Sequence, residues 1–368
     1  MEIKKIKGKR VWFISDTHLG VRNNSNDWIE LIRDYFFNWF FPLVRSHYKE
    51  GDILIHLGDY FDSRQSLNLK VLNLGIEIAE EISKIFEDGT YIIAGNHDIW
   101  GKTSNDVNSL KCLKWIPNIN VIEEPQSFLI EGRSFFFMPW RKDHSTEEKT
   151  LESSSPHDVL CCHTDIRGLK FNRYVKIEEG SDISKFSKFN KVYSGHIHYS
   201  QRSGNINMVG SPYQITRSDI NNPKFITLLD LNIMEEKIFY NEHSPKFKKI
   251  NFNDLLDYTL EEANSFFSNN FVDVMIDPSI SLGNYLSALT DLITSQRTLN
   301  FQLYDPNNVS SLQEQILESD GSHFNVMDFI KEYINKTEDD DSIKEKLITS
   351  FKKLHSLVSK NDEDPDNL

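Results

Sequence analysis

The chain has 368 residues, 39% of them hydrophobic and 26% charged, enough for one large domain with a smaller one attached and for a sizeable buried core. No apolar run is long enough to span a bilayer, and residues 1–10 are basic without the apolar stretch of a secretory signal. Cys112, Cys161 and Cys162 are too few and too unevenly spread for a disulfide framework, so we expect a soluble, unprocessed protein of a reducing cytoplasm.

The formal charge of -14 argues at first against a polyanionic substrate. Its distribution changes that reading, because residues 1–250 hold 33 Lys+Arg against 33 Asp+Glu while residues 251–368 hold 8 against 22. The first part is neutral, and divalent ions bound there would make the local field positive, so charge does not exclude DNA.

Short runs rich in Val, Ile, Phe and Tyr predict buried strands at residues 11–15, 53–57, 91–94, 159–162 and 192–194. Between the first three lie residues 28–44 and 67–86, whose apolar positions recur at helical spacing. Further strands are predicted at residues 128–130, 134–138, 206–209 and 225–231. This alternation implies an α/β layer structure, with two sheets flanked by helices and ligands gathered beyond the carboxyl ends of the strands.

Near Pro245 and the cluster Lys246, Lys248 and Lys249 the charge balance turns acidic, which puts a domain boundary near residue 250. Beyond it, residues 254–267 and 282–293 read as helices and residues 271–276 and 300–303 as strands, enough for a small α+β domain at 251–320. Two helical segments follow in 321–360, the second opening with Ser342 and Glu345 at capping-box spacing and carrying an apolar face of Ile343, Leu347, Phe351 and Leu354. The acidic stretch 361–368, with Pro365, is expected to be disordered.

The polar residues just after the strands carry the chemistry. Asp16 and His18 follow the first strand, two apart, a spacing that in extended chain aims both side chains the same way. After the second comes Gly58-Asp59-Tyr60-Phe61-Asp62, where Gly58 allows a tight turn and Asp59 could bridge two ions. After the third comes Gly95-Asn96-His97-Asp98, and His163 and Gly195-His196-Ile197-His198 follow the other two. Taken singly, an Asp-x-His triplet reads as an exposed loop and a lone His163 as a core histidine. Five strand ends in succession bearing Asp, Asn or His make coincidence a poor account.

Mixed carboxylate, amide and imidazole donors favour Mn, Fe or Zn over an all-oxygen cage, and cysteines outside the motifs argue against a thiolate zinc site. Two ions about 3.5–4 Å apart suit in-line phosphoryl displacement, so phosphoester hydrolysis is the natural chemistry. His97 is the candidate for contact with the scissile phosphate or for protonating the leaving oxygen, with Asp98 fixing its tautomer.

These motifs resemble the signature of the calcineurin-like metallophosphoesterases. Within that superfamily Asp16-Thr17-His18-Leu19-Gly20, Gly58-Asp59-Tyr60-Phe61-Asp62 and Gly210-Ser211-Pro212 are similar to the SbcD-type nuclease subunits of DNA recombination and repair complexes, including those of T-even-like phages. The resemblance implies a four-layer α/β/β/α sandwich over residues 1–250, with a small capping domain and C-terminal helices. It implies one ion held by Asp16, His18, Asp59 and His198 and another by Asp59, Asn96, His163 and His196, as manganese with magnesium possible. It also implies 3′ to 5′ exonuclease action on duplex ends, endonuclease action on single strands, and a homodimer within a heterotetramer with an SbcC-type coiled-coil ATPase. The face Ile343, Leu347, Phe351, Leu354 is then a candidate partner contact or packs on its own domain. Relatives carry His where this chain has Asp62, which leaves that residue to support the turn. Two alternatives remain at this stage, a phosphatase or phosphodiesterase for a small substrate and a non-catalytic scaffold that binds DNA ends.

Overall fold

The chain begins with β1 (Lys4–Ile6) and β2 (Arg10–Ile14) and continues through β3 (Asp52–His56), β4 (Thr90–Ile93), β5 (Ile119–Ile122), β6 (Gln126–Ile130), β7 (Arg133–Met138), β8 (Val159–His163) and β9 (Lys191–Gly195). Then come β10 (Gln201–Ser203), β11 (Ile206–Met208), β12 (Phe225–Asp230), β13 (Glu235–Tyr240), β14 (Phe247–Asn251), β15 (Phe271–Met275) and β16 (Asn300–Tyr304). The computed structural model describes residues 4–102, 105–141, 143–275 and 300–304, together with Lys344, Lys346 and Thr349. It divides the chain into two units, Met1–Val309 and Ser310–Leu368, the second almost wholly outside the described residues.

One sheet has the order β13-β12-β2-β3-β4-β5, and a second has β1-β6-β7-β8-β9-β11-β10. Strands β2 to β5 run parallel to one another, as do β7 to β9, so the carboxyl ends that carry the motifs collect at one edge of each sheet. The early strands are apolar without alternation because both of their faces are covered. Val11, Phe13, Ile53 and Ile55 pack between the sheets with Phe135, Phe137, Cys161 and Tyr193, while Trp12, Ile14 and Leu54 face the helices Asn26–Asp34 and Leu69–Ile85. On the far face of the second sheet, Phe136, Leu160 and Val192 lie in a cluster with Leu151 of the helix His144–Ser153 and Phe186 of a short 3₁₀ turn. The result is the expected sequence of four layers, helix, sheet, sheet, helix.

Two predicted helices differ from expectation. Residues 28–44 form α-helix over Asn26–Asp34 and Phe41–His47 but a π-helical stretch over Tyr35–Phe40, where the Phe41 amide donates to the Phe36 carbonyl. Pro42 has no amide hydrogen to offer and its ring crowds the carbonyl four residues back, which the wider turn relieves. Residues 254–267 split into Phe252–Leu256 and Leu260–Phe267, because Thr259 and Glu262 form a reciprocal capping box that starts a new helix. Strands β1, β10, β13 and β14 and the helix His144–Ser153 carry too few apolar residues in period to have been foreseen, whereas β5, with Ile119, Val121 and Ile122, is apolar but only four residues long.

A third sheet, β14-β15-β16, is parallel throughout and begins close to the expected boundary at residue 250. It joins the larger body through Trp28, which stacks on Phe271 at 5.3 Å, and through the Arg217–Asp273 ion pair at 2.8 Å. The helix expected at 282–293, the residues Ser342, Glu345, Ile343, Leu347, Phe351 and Leu354, and the tail 361–368 lie outside the described residues, as do the segments after residue 320 apart from the helical Lys344, Lys346 and Thr349. Among the described residues no helix is long and apolar enough to cross a membrane.

One close contact between the sheets is the stack of Phe13 on Tyr193, with ring centroids 3.9 Å apart and planes 12° from parallel. Phe13→Ala is expected to cost about 3–5 kcal/mol of stability, read from urea denaturation. A loss below about 1 kcal/mol would show that the sheets are held together elsewhere.

Candidate metal centre

Four of the motif residues leave their strands through an unusual backbone turn. Asp16, His18, Asp59 and His196 all have positive φ, of 49°, 44°, 55° and 84°. Non-glycine residues rarely adopt this region, and the strain is sustained only where surrounding structure enforces it. The expectation that Asp16 and His18 converge through extended chain is therefore corrected. They converge because each turns left-handed while their amides donate to Gly58 and Asp59 carbonyls at 3.0 Å. His163 needs no such turn, being the last residue of β8 itself.

Glycines supply the room. At Gly58 (φ 97°) a Cβ would come 2.5 Å from His163 Nδ1, and at Gly95 it would collide with the Asp59 carboxylate and amide. At Gly195 it would strike Ser15 Oγ and the Leu57 carbonyl.

The structure brings all seven expected ligands together, from both sheets. Donor atoms of Asp16, His18 and His198 lie within 4.8 Å of one another, as do those of Asp59, His163 and His196. Asp59 Oδ2 stands 3.5 Å from His18 Nε2 and 3.3 Å from His163 Nε2, between the two groups. Asn96 Oδ1 is 2.9 Å from His163 Nε2 and 2.7 Å from His196 Nδ1. His198 Nε2 faces His18 Nε2 at 2.9 Å.

Whether cations belong here can be tested on the lone pairs. The Leu57 carbonyl, 2.7 Å from His163 Nδ1, can only accept, so Nδ1 carries the hydrogen and Nε2 of the neutral ring aims its lone pair at two further acceptors, Asp59 Oδ2 and Asn96 Oδ1. The same device recurs twice. Asp62 Oδ1 at 2.9 Å holds His18 Nδ1, and Asp165 Oδ1 at 3.0 Å holds His196 Nε2, leaving the inward nitrogens free. Asp16 Oδ1 accepts from the His196 amide, but its buried Oδ2 has no hydrogen-bond partner among the described residues. Converging lone pairs and an orphaned buried carboxylate oxygen require positive charge at the centre, and this donor set suits divalent ions.

Burial pushes the His163 imidazole down, but the charge and hydrogen bond of Asp59 reverse this and raise it to about 9. For His18 burial is likewise outweighed, by the hydrogen bond to Asp62 and the Asp59 and Asp62 charges, to about 9.

His97 sits at the rim. Its Nδ1 is 2.7 Å from the Asp62 carbonyl and must donate, so Nε2 accepts from the Arg64 guanidinium at 2.7 Å. Burial pushes this imidazole down to about 4. His97 is thus neutral near pH 7.

The expectation that Asp98 fixes the His97 tautomer is corrected, since the Asp62 carbonyl does so. Fully buried, Asp98 accepts instead from the amides of Asp59 at 2.8 Å, Gly95 at 2.9 Å and Phe61 at 3.1 Å. It ties together the loops after β3 and β4. Asp62 likewise does more than support a turn, because it orients His18. Sequence reasoning missed Arg64 and Asp165. Asp165 lies two residues past His163 and was within reach of the motif logic, whereas nothing marked Arg64 off from any surface arginine.

Asp98→Ala leaves three buried amides without an acceptor and is expected to lower stability by at least about 2 kcal/mol in a thermal or urea melt. His97→Ala, at a half-buried rim position, should change it by under about 1 kcal/mol. Equal losses in the two variants would restore Asp98 to a role exerted through His97.

The chain is 25% identical over 361 residues to Exonuclease subunit 1 of Enterobacteria phage T4, covering 93% of this chain and 97% of that one. Among solved structures it is similar to a novel archaeal phosphodiesterase, with 15% identity, a TM-score of 0.33, and coverage of 63% of this chain and 99% of the other. Residues 9–200, slightly more than half of the chain and the stretch that holds every proposed ligand, match the family model for calcineurin-like phosphoesterase. With five motif-bearing strand ends meeting at one centre, the chain belongs to the calcineurin-like phosphoesterase family.

Proposed function

We propose that this chain is a metal-dependent DNA nuclease, a phosphodiesterase working with an SbcC-type coiled-coil ATPase in DNA recombination, repair and end processing. The observation that carries the reading is the place of Asp59 Oδ2, shared between the His18 side and the His163 side of the cluster. One ion would be held by Asp16, His18, Asp59 and His198, the other by Asp59, Asn96, His163 and His196, with manganese as the working ion and magnesium as a substitute. Bound there, such ions supply Lewis acidity toward phosphoryl oxygens and lower the pKa of water.

The chain's own residues do the rest. Neutral His97 offers the lone pair of Nε2, so it can take up a proton there and pass it to the leaving oxygen. Arg64, which now occupies that lone pair, has a guanidinium suited to a phosphate oxygen. Asp62 and Asp165 keep the inward imidazole nitrogens aimed at the centre.

Likeness over nearly the whole chain to a phage protein named Exonuclease subunit 1 supports exonuclease action, and the finer reading is 3′ to 5′ action on duplex ends with endonuclease action on single strands. The word subunit in that name supports assembly with a further chain, which we take to be a homodimer within a heterotetramer, in the cytoplasm, of a host cell if the chain is phage-encoded. Residues 251–320 would cap the site. Residues 321–360 would bind the ATPase through Ile343, Leu347, Phe351 and Leu354, with 361–368 as a tail.

Purified protein with Mn²⁺ is expected to degrade end-labelled duplex DNA. His97→Ala should retain metal by elemental analysis yet lose at least about a hundredfold in rate, as loss of a proton-transfer group does. Asp59→Ala should lose both. Hydrolysis of a phosphomonoester but not of DNA, with the ATPase present, would make the chain a small-substrate phosphatase. Full metal occupancy in the Asp59 variant would overturn the shared-ligand model.

A further inference from the structure

Between β8 and β9 the chain makes a hairpin that packing inside the domain does not explain. Its base is fixed at the centre, since Asp165 holds His196 Nε2 at 3.0 Å and the Asp165 carbonyl accepts from Ser181 at 3.1 Å. Its two legs are paired, Gly168 donating to Ile177 at 2.9 Å and Ile177 to Leu169 at 2.7 Å, and the buried Leu169 and Ile177 anchor it to the core. At the tip Asn172 Oδ1 accepts from the amides of Tyr174 and Val175 at 2.8 and 2.9 Å, a side-chain-closed turn that makes the end rigid.

What this rigid arm displays is unusual. Phe171 is 55% exposed and Tyr174 72%, although both are large apolar rings. Residues 167–177 carry Arg167, Lys170, Arg173 and Lys176 and no acidic residue, in a first part of the chain whose charges balance overall. Arg167 pairs with Asp182, but the exposed side chains of Lys170, Arg173 and Lys176 form no ion pair among the described residues. Arg173 lies over the Tyr174 ring at 4.4 Å, so ring and cation face solvent as one unit.

We propose that this hairpin is a platform for single-stranded nucleic acid, stacking unpaired bases on Phe171 and Tyr174 while Lys170, Arg173 and Lys176 follow the phosphates. Exposed rings interleaved with unpaired cations are what such binding needs, because every base has a face to stack and every link a charge to neutralise. A duplex would offer the cations its phosphates but hide its bases from the rings. The proposal rests on the nuclease reading, and it adds where the strand lies. The tip is at most about 25 Å from Asp165, eight residues at about 3.3 Å each, so a strand held there can run directly to the His163 and His196 side of the centre.

The test uses the full chain in EDTA, with fluorescence anisotropy of a labelled oligo-dT of about twelve nucleotides, a length within the usual single-strand site size. Phe171→Ala with Tyr174→Ala should weaken binding at least about tenfold. Lys170→Ala, Arg173→Ala and Lys176→Ala together should lower the slope of log affinity against log salt by about 2, at about 0.7 per phosphate contact. Hydrolysis of bis-p-nitrophenyl phosphate with Mn²⁺ should match the parent in all these variants, which also shows that they are folded. Unchanged oligo-dT affinity and salt slope would overturn the proposal while leaving the phosphodiesterase reading intact. So would a loss confined to binding of anionic lipid vesicles, which would make the hairpin a membrane contact. A parent protein that hydrolyses neither the ester nor DNA would instead remove the nuclease reading, and the hairpin proposal with it.

Discussion

The carboxylate of Asp59 lies where the two sheets meet, and most of the unusual features of this structure serve to hold it there. One oxygen accepts from the His97 amide at 2.7 Å while the other faces His18 and His163, one imidazole from each sheet. That position demands a left-handed backbone at Asp59, a glycine at 95 to leave space for the carboxylate, and Asp98 to receive the Asp59 amide. Each is costly alone, as strain, as lost chain entropy or as a buried charge. The apolar layers on both faces of β2 and β3 offset that cost and keep the turns from relaxing.

Electrostatics explains the surroundings of this carboxylate. Three imidazoles, His18, His163 and His196, each have the outward nitrogen pinned by an oxygen acceptor and the inward nitrogen left for the centre. The pinning groups are chemically different, a carboxylate, a backbone carbonyl and another carboxylate, so what recurs is the proton's position and not a residue type. Lone pairs so aimed repel one another unless cations or protons lie among them, so the donor set is one that suits divalent ions.

A buried chain of charges extends from the centre toward the third sheet. Lys224 donates to the His198 carbonyl and to Asp219, both at 2.7 Å. Two residues before Asp219, Arg217 pairs with Asp273 on β15. The backbone of one ligand is thus linked, through a few charged side chains, to the sheet that begins after residue 246. The hairpin of residues 165–181 makes a comparable link on the other side, from His196 to an exposed aromatic and basic tip. Both extensions start at residues adjoining ligands, so the centre is continuous with the surfaces around it.

Much of this was legible in the linear chain, for a definable reason. Buried parallel strands leave continuous apolar runs, and polar residues directly after them must lie at the sheet edge, so Asp16, Asp59, Asn96, His163, His196 and His198 could be read as a set. Three things could not. The left-handed turns at Asp16 and His18 are held by backbone bonds to the loop after β3. The duties of Asp62, Asp98 and Asp165 depend on which atom each carboxylate reaches, and adjacency in sequence misdirected Asp98 toward His97 when its bonds go to the amides of Asp59, Gly95 and Phe61. Arg64 gained meaning only when the loop after β3 was seen to bring it against His97. Sequence by itself determined which chemical groups were present and at which strand ends. Tertiary structure decided which hydrogen points where, because proton positions follow from contacts of a few ångströms between segments that lie far apart along the chain.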